Sequence, residues 1–277
     1  MRRTLSPALA TLVGLSVVGS LATVPAQAAD AVSCTASKSA LAARLKKDIA
    51  AALAGRTSTI SVTVVEPAKG VRCEVAAARR FDSASVFKVT LLGTLLRELK
   101  VKNRVLTKEE NTRATAMITK SDNDSTTALW RQLGKARVQA FLKLAGTTDS
   151  SLDPSGAWGI TQISARDQIK VLNLLTKANS VLRDADRAYA LKLMSTVASG
   201  QRWGAPAGAP SGVRVQVKNG WLSRATHGWR VHSDGVFTGG GRDYKIVVLT
   251  QDNATLTYGI DSIERVAKVV HRDLAAG

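Results

Sequence analysis

The fold is decided by residues 213–250, which read VRVQVKNGWLSRATHGWRVHSDGVFTGGGRDYKIVVLT. Valines at every second position from 213 to 217 alternate with polar residues, the pattern of a half-buried strand. The segments 229–237 and 244–250 are rich in β-branched and aromatic residues, which favour strands. Three consecutive glycines at 239–241 provide a turn between them. The stretch therefore predicts three consecutive antiparallel strands.

The segments on either side of this stretch complete the sheet and cover it. An apolar residue at every fourth position predicts an amphipathic helix over 38–53, and alternation predicts strands over 59–65 and 71–77. At the C-terminal end, the segment that opens with Asp261 places its apolar residues on one face and predicts a final helix. The middle of the chain is predicted to be helical near 85–99, 107–120, 124–133, 135–145, 164–178 and 183–199.

These elements predict an α+β fold in which a five-stranded antiparallel sheet is flanked by N- and C-terminal helices. An all-helical lobe is inserted between the second and third strands. We expect one domain over 29–277, with an α/β lobe formed by 35–84 and 211–277 and a helical lobe formed by 85–210.

The first 28 residues have the features of a secretory signal peptide. Arg2 and Arg3 precede an apolar stretch over 9–24, and Ala26-Gln27-Ala28 is a small-residue cleavage site. We therefore expect a secreted or extracytoplasmic protein. The paired arginines leave the choice between general and twin-arginine export open.

Cys34 allows two interpretations. The run Ala31-Val32-Ser33-Cys34 loosely resembles a lipoprotein processing site, which would make the protein lipid-anchored. Alternatively, Cys34 forms a disulfide with Cys73. The predicted helix over 38–53 rises about 24 Å and the strand over 59–65 returns about 23 Å, so the hairpin that follows the strand lies near the start of the helix and brings Cys73 towards Cys34. We favour the disulfide, because export exposes the chain to an oxidising compartment.

The charge balance limits the classes of partner. Lys and Arg number 39 against 21 Asp and Glu, for a net charge of +18, and aromatic residues make up 4% of the chain. The cations are scattered with little aromatic interleaving, which argues against nucleic-acid binding and allows attraction to an anionic cell envelope. The three histidines lack metal-ligand spacing, so we expect neither metal nor cofactor. We also expect a monomer.

Ser85-Val86-Phe87-Lys88 places a serine three positions before a lysine in a stretch of helical character. That spacing puts both side chains on one helical face, with Cβ atoms about 5–6 Å apart. A lysine activates a serine only when its amine is neutral, which requires desolvation or a neighbouring positive charge. By itself the pair also occurs by chance in a chain of this length.

Two further clusters support a catalytic interpretation. Ser121-Asp122-Asn123 lies between two predicted helices, and Lys218-Asn219-Gly220 ends an alternating strand. Taken singly, the first is a helix cap and the second a strand end with a solvated lysine. The three clusters occur in this order on helix, loop and strand, an arrangement that is hard to produce by accident.

The three clusters resemble the Ser-x-x-Lys, Ser-Asp-Asn and Lys-Thr-Gly motifs of class A β-lactamases and penicillin-binding proteins. The resemblance extends over nearly the whole mature chain. It implies that Ser85 is the acylated nucleophile and Lys88 its base. Ser121 would pass a proton to the leaving nitrogen.

The resemblance also implies a set of substrate-binding groups. Asn123 would bind the substrate amide and Lys218 its carboxylate. Gly220 would allow close approach of the backbone, and the oxyanion hole would include the N–H of Trp221 together with that of Ser85. Asn219 replaces the usual Thr or Ser, so an amide stands where the family carries a hydroxyl.

Two departures from the family pattern bear on function. Only 36 positions separate Ser85 from Ser121, which implies a trimmed wall beside the substrate. No glutamate lies between Ser121 and Lys218, where class A enzymes carry the residue that activates the deacylating water. Asp149 and Asp153 lie in that interval and are the alternatives.

The sequence thus predicts an exported serine hydrolase with one catalytic domain, acting on a β-lactam or a peptidoglycan-like D-Ala-D-Ala amide. A penicillin-binding activity and a true β-lactamase activity both remain open. The alternative from another class is a catalytically weak or silent protein of this fold that binds cell-wall or envelope ligands.

Overall fold

The computed structural model describes residues 30–276, so the predicted signal peptide lies outside the described residues. Its main sheet has six antiparallel strands in the order β1-β3-β2-β8-β7-β6. These strands are β1 (Ser33–Thr35), β2 (Thr59–Glu66), β3 (Val71–Val75), β6 (Arg214–Ser223), β7 (Trp229–Gly239) and β8 (Arg242–Asn253). Two short strands, β4 (Phe81–Asp82) and β5 (Gln162–Ile163), form a separate pair.

Seven helices are present in the described part of the chain. They are α1 (Ser39–Leu53), α2 (Phe87–Val101), α3 (Lys108–Thr119), α4 (Asn123–Leu144), α5 (Ala165–Thr176), α6 (Asp184–Ser195) and α7 (Leu256–Ala276). None of these helices is long and apolar enough to cross a membrane.

The sheet separates two apolar cores. One core lies between the sheet and the pair α1 and α7, whose stripes bury residues such as Leu45 and Val266. The other joins the sheet to the helices inserted between β4 and β6, with α2 at its centre and Leu92 fully buried. The predicted α+β class is confirmed. Since α2 packs against both the sheet and the other inserted helices, its residues lie where the sheet meets the helical layer.

The prediction of five strands was wrong by one, because β1 was missed. β1 has three residues, too few to show an alternating pattern. It pairs with β3 so that Cys34 lies opposite Cys73, and the two are joined by a disulfide. The Cys34 sulfur that a lipid anchor would require is therefore occupied in this structure.

Two helix boundaries also differ from the prediction. The final helix begins at Leu256, five residues before Asp261, where the Thr255 hydroxyl accepts a hydrogen bond from the Tyr258 N–H. The helices predicted over 124–133 and 135–145 form the single element α4, which is broken at Gly134 with a φ of 75°. A glycine adopts this left-handed conformation without the steric cost of a Cβ.

Candidate active site

Ser85 lies in a short 3₁₀ turn over Ala84–Val86 that leads directly into α2. Ala84 and Val86 are buried, whereas Ser85 is partly exposed. Ala84 has a φ of 45°, a left-handed conformation that is costly for a residue with a Cβ. The fold thus holds a strained turn at the point where the serine reaches the boundary between the sheet and the inserted helices.

Lys88, one turn further along, is fully buried and directs its amine at the Ser121 loop. Its Nζ donates to Ser121 O at 2.5 Å, to Ser121 Oγ at 3.1 Å and to Asn123 Oδ1 at 2.8 Å. None of these three hydrogen bonds goes to Ser85. Burial lowers the pKa of Lys88 to about 8, against the opposing effect of the Asp122 carboxylate, so a neutral amine is accessible near neutral pH.

The Ser121 hydroxyl lies between two lysine amines. Lys218 Nζ donates to Ser121 Oγ at 3.0 Å and to Asn219 O at 2.8 Å. Ser121 itself has a φ of 58°, another left-handed non-glycine residue. Burial, together with the charge of Lys88, lowers the pKa of Lys218 to about 7. The geometry connects the three sequence clusters through one hydroxyl.

Asp234 lies opposite Lys218 in the register between β6 and β7. Its side chain is fully buried, and its carboxylate oxygens have no hydrogen-bond partner among the described residues. Burial raises the pKa of Asp234 well above its usual range, although the charge of Lys218 opposes this. Asp234 was not among the predicted site residues. Because residues directly opposite each other on paired strands share a face of the sheet, the register between β6 and β7 would have identified it as a neighbour of Lys218.

Gly220 brings β6 directly against the Ser85 turn. A Cβ at this position would lie 2.7 Å from the backbone nitrogens of both Ser85 and Val86, which is too close for any side chain. β6 is also an edge strand of the sheet. Trp221 follows, partly buried, with its ring 5.9 Å from that of Trp203.

The side chains of the two predicted substrate-binding asparagines are engaged within the protein. Asn123 begins α4, and its Oδ1 accepts from Lys88. Asn219 is fully buried, and its amide donates to Gln201 O at 2.9 Å and to Trp203 O at 2.8 Å. This argues against the expected contact between the Asn219 side chain and a substrate, because the amide is tied to the loop that precedes β6.

Both aspartate alternatives to the missing glutamate accept hydrogen bonds from serines other than Ser85. Asp149 Oδ2 accepts from Ser164 Oγ at 3.1 Å. Asp153 Oδ1 accepts from the Ser155 N–H at 2.9 Å and from the Ser155 hydroxyl. Asp149 is therefore bound to the residue that caps α5, and Asp153 is bound within its own loop.

The residue of this loop that does reach the site is Trp158. Its ring centre lies 5.1 Å from Lys88 Nζ. The sequence offered no signal for this contact, because it depends on how the loop folds back over α2.

An ion cluster supports the turn before Ser85. Asp82 Oδ2 accepts a hydrogen bond from Arg224 at 2.8 Å and forms an ion pair with Arg230, whose Nη2 lies 2.9 Å away. His232 is fully buried with a ring nitrogen 2.8 Å from Asp82 O, and burial lowers its pKa to about 4, so it is neutral. His227 lies on an exposed turn, where its Nδ1 is 2.8 Å from Asp252 Oδ1.

The fold is that of the class A β-lactamases and their penicillin-binding relatives. A class A β-lactamase from Bacteroides cellulosilyticus superimposes with a TM-score of 0.73 at 18% identity, covering 85% of this chain and 98% of that chain. A mutant of the class A β-lactamase of the last common ancestor of Gram-negative bacteria gives 0.71 at 22%, covering 83% and 98%. PBP-A gives 0.74 at 17%, covering 84% and 96%.

The chain belongs to the β-lactamase enzyme family, whose sequence model matches residues 111–274. A search of curated proteins found no significant match. At identities of 17–22%, the solved structures establish the fold, and the activity has to be argued from the site.

Proposed function

We propose that this chain is an exported serine hydrolase that forms an acyl-enzyme at Ser85 with a β-lactam or a D-Ala-D-Ala-like amide. The observation that carries the proposal is the Ser121 hydroxyl held between Lys88 and Lys218, 3.1 and 3.0 Å from the two amines. Gly220 brings β6 against the Ser85 turn. Ser85 would therefore have the proposed proton carriers Lys88 and Ser121 on one side and the proposed substrate-binding strand β6 on the other.

Acylation begins when Ser85 Oγ attacks the carbonyl carbon of the substrate. A C–O bond forms as the serine proton passes to the neutral amine of Lys88, and the carbonyl oxygen becomes an oxyanion. The backbone N–H groups of Ser85 and Trp221 are the proposed donors to that oxygen. The C–N bond then breaks. Ser121 gives its proton to the leaving nitrogen and regains one from the Lys88 ammonium.

Lys218 supplies positive charge for the substrate carboxylate. Since burial and Lys88 depress its pKa to about 7, an arriving carboxylate favours its charged form. Substrates with a free carboxylate next to the scissile amide are therefore the best fit to the site. β-Lactams and C-terminal D-alanyl peptides share that feature.

Within this class, we favour a penicillin-binding activity over an efficient β-lactamase. The chain has no glutamate between Ser121 and Lys218, and Asp149 and Asp153 are bound to neighbouring serines. A missing general base costs about 10²–10⁴ in rate, so the acyl-enzyme should form and hydrolyse slowly.

The proposal is tested by labelling the purified protein with a fluorescent penicillin. The wild type is expected to acquire a covalent label that Ser85→Ala abolishes. The control Ser223→Ala alters an exposed serine at the end of β6 and should keep the label. Labelling that survives in Ser85→Ala contradicts the assignment of the nucleophile. Absence of both label and drug turnover in the wild type favours the catalytically silent envelope-binding alternative.

A further inference from the structure

The loop between α4 and β5 covers the Lys88 amine with an aromatic ring. The centre of the Trp158 ring lies 5.1 Å from Lys88 Nζ. The same ring stacks on Phe87, the first residue of α2, with centroids 6.5 Å apart and planes inclined by 16°. Trp158 therefore adds an apolar surface to the start of α2, next to the Lys88 amine.

Trp158 is held in place from both sides of the site. Its Nε1 donates to Thr127 Oγ1 on α4 at 3.3 Å. Its carbonyl oxygen accepts from the hydroxyl of Ser83, two residues before Ser85, at 3.2 Å. The Ser83 N–H in turn donates to Thr161 O at 2.9 Å. The indole is thus fixed to α4, and the backbone of its loop is fixed to the segment that presents Ser85.

Hydrolysis of an acyl-enzyme needs room for water at this place. The water oxygen must bond to the ester carbonyl carbon while the bond to Ser85 Oγ breaks, and a proton of the water must reach the departing serine oxygen. In this loop the carboxylate of Asp153 is bound to Ser155, and the group next to Lys88 is an indole, which accepts no proton.

We propose that Trp158 is a positioning residue that keeps water away from Lys88 and from the Ser85 ester, and so prolongs the life of the acyl-enzyme. The inference rests on the proposed function, and it assigns the slow hydrolysis to a shielding ring in addition to the missing glutamate. An ester protected in this way persists until an acceptor other than water, such as an amine, enters the site.

The test compares Trp158→Ala with the matched control Trp130→Ala. Trp130 lies on α4 and packs edge-on against the same Phe87, with centroids 5.6 Å apart. Time-resolved mass spectrometry of the benzylpenicillin adduct is expected to give a half-life at least about tenfold shorter in Trp158→Ala than in the wild type. Trp130→Ala and Trp158→Phe should stay close to the wild type. Equal half-lives in folded wild type and Trp158→Ala overturn the inference.

A second measurement needs no penicillin and separates the inference from the proposed function. NMR titration of protein labelled with ¹³C at lysine Cε, with the Lys88 signal assigned through Lys88→Arg, reports the ionisation of Lys88 directly. Removing the ring should admit water and raise the Lys88 pKa in Trp158→Ala but not in Trp130→Ala. An unchanged Lys88 pKa in Trp158→Ala overturns the shielding role. Absence of an adduct in the wild type, by contrast, refutes only the proposed function.

Discussion

At the residue scale, the site depends on two lysines that share one hydroxyl. Lys88 precedes the helical insertion's other helices in the chain and Lys218 follows them, yet both amines contact Ser121 Oγ. Burial lowers the pKa of each lysine. A buried pair of amines favours having one neutral and one charged member, because like charges at this distance repel. With pKa values of about 8 for Lys88 and about 7 for Lys218, Lys218 loses its proton first in the free protein. The proposed roles, with Lys88 neutral and Lys218 charged, therefore require the substrate carboxylate to stabilise the Lys218 ammonium.

The pH dependence of acylation follows from this pair. The neutral fraction of Lys88 grows as the pH rises toward its pKa of about 8, so the acylation rate at saturating penicillin should rise up to about tenfold per pH unit below that value. Lys218 loses charge as the pH rises through about 7, so the apparent penicillin affinity should weaken there. Stopped-flow acylation across this range measures both. A saturating rate that falls with pH contradicts Lys88 as the base.

Gly220 is predicted to tolerate no side chain. A Cβ on residue 220 would lie 2.7 Å from the nitrogens of Ser85 and Val86, so Gly220→Ala must displace the Ser85 turn. We expect a loss of about 1–3 kcal/mol of unfolding free energy and a strongly reduced rate of penicillin labelling. Gly200→Ala is the matched control, because a Cβ there meets nothing within 4 Å. Labelling of Gly220→Ala at the wild-type rate would refute the close approach.

The sequence selected Lys88, Ser121 and Lys218 as one group, and the structure brings both amines to the Ser121 hydroxyl, but the sequence could not predict how every side chain is oriented. Ser85, Lys88, Ser121 and Lys218 could be selected from spacing, since each lies in a short local pattern. The orientation of Asn219 could not, because it depends on carbonyl groups 16 and 18 residues away along the chain. The same holds for Trp158, whose partners lie on α2 and α4.

At the scale of elements, the long ones could be predicted and the short ones could not. β7 and β8 have 11 and 12 residues, enough for composition and alternation to be recognised. β1, β4 and β5 have only two or three residues and exist because tertiary contacts pair them. Local propensity carries no information about such pairings.

The short strand β1 is predicted to depend on its disulfide. Cys34 and Cys73 are 39 positions apart, so the crosslink restricts a long loop of the unfolded chain. Replacing both residues by alanine should cost about 3–4 kcal/mol of unfolding free energy, measured by urea denaturation. Wild-type protein unfolded under reducing conditions should match the double variant. A double variant as stable as the oxidised wild type would show that the bond contributes no stability.

At the scale of the whole molecule, the site exists only where the two layers meet. The turn before α2 presents Ser85, α2 itself presents Lys88, the loop leading into α4 presents Ser121, the first residue of α4 is Asn123, and β6 presents Lys218. Each cluster alone has a structural explanation as a helix, a cap or a strand end. Their chemistry follows from the packing of the inserted helices against the edge of the sheet.

The net charge of the molecule predicts its behaviour at anionic surfaces. The chain carries +18, of which the predicted leader accounts for Arg2 and Arg3. We expect the purified protein to bind an anionic, phosphate-rich polymer at about 0.05 M salt and to be released at about 0.5 M, because salt screens scattered charges. Ser85→Ala should behave identically in this sedimentation assay. Retention that is insensitive to salt would indicate a specific ligand instead.

The intact mass of residues 29–277, followed over time after mixing with excess benzylpenicillin, tests slow turnover at Ser85 most directly. We expect a mass increase of one penicillin that appears quickly, maps to Ser85 and persists while free drug remains. Rapid loss of the drug with only a transient adduct would contradict the slow hydrolysis and require a deacylating base other than a glutamate. No adduct and no loss of drug would contradict penicillin acylation at Ser85.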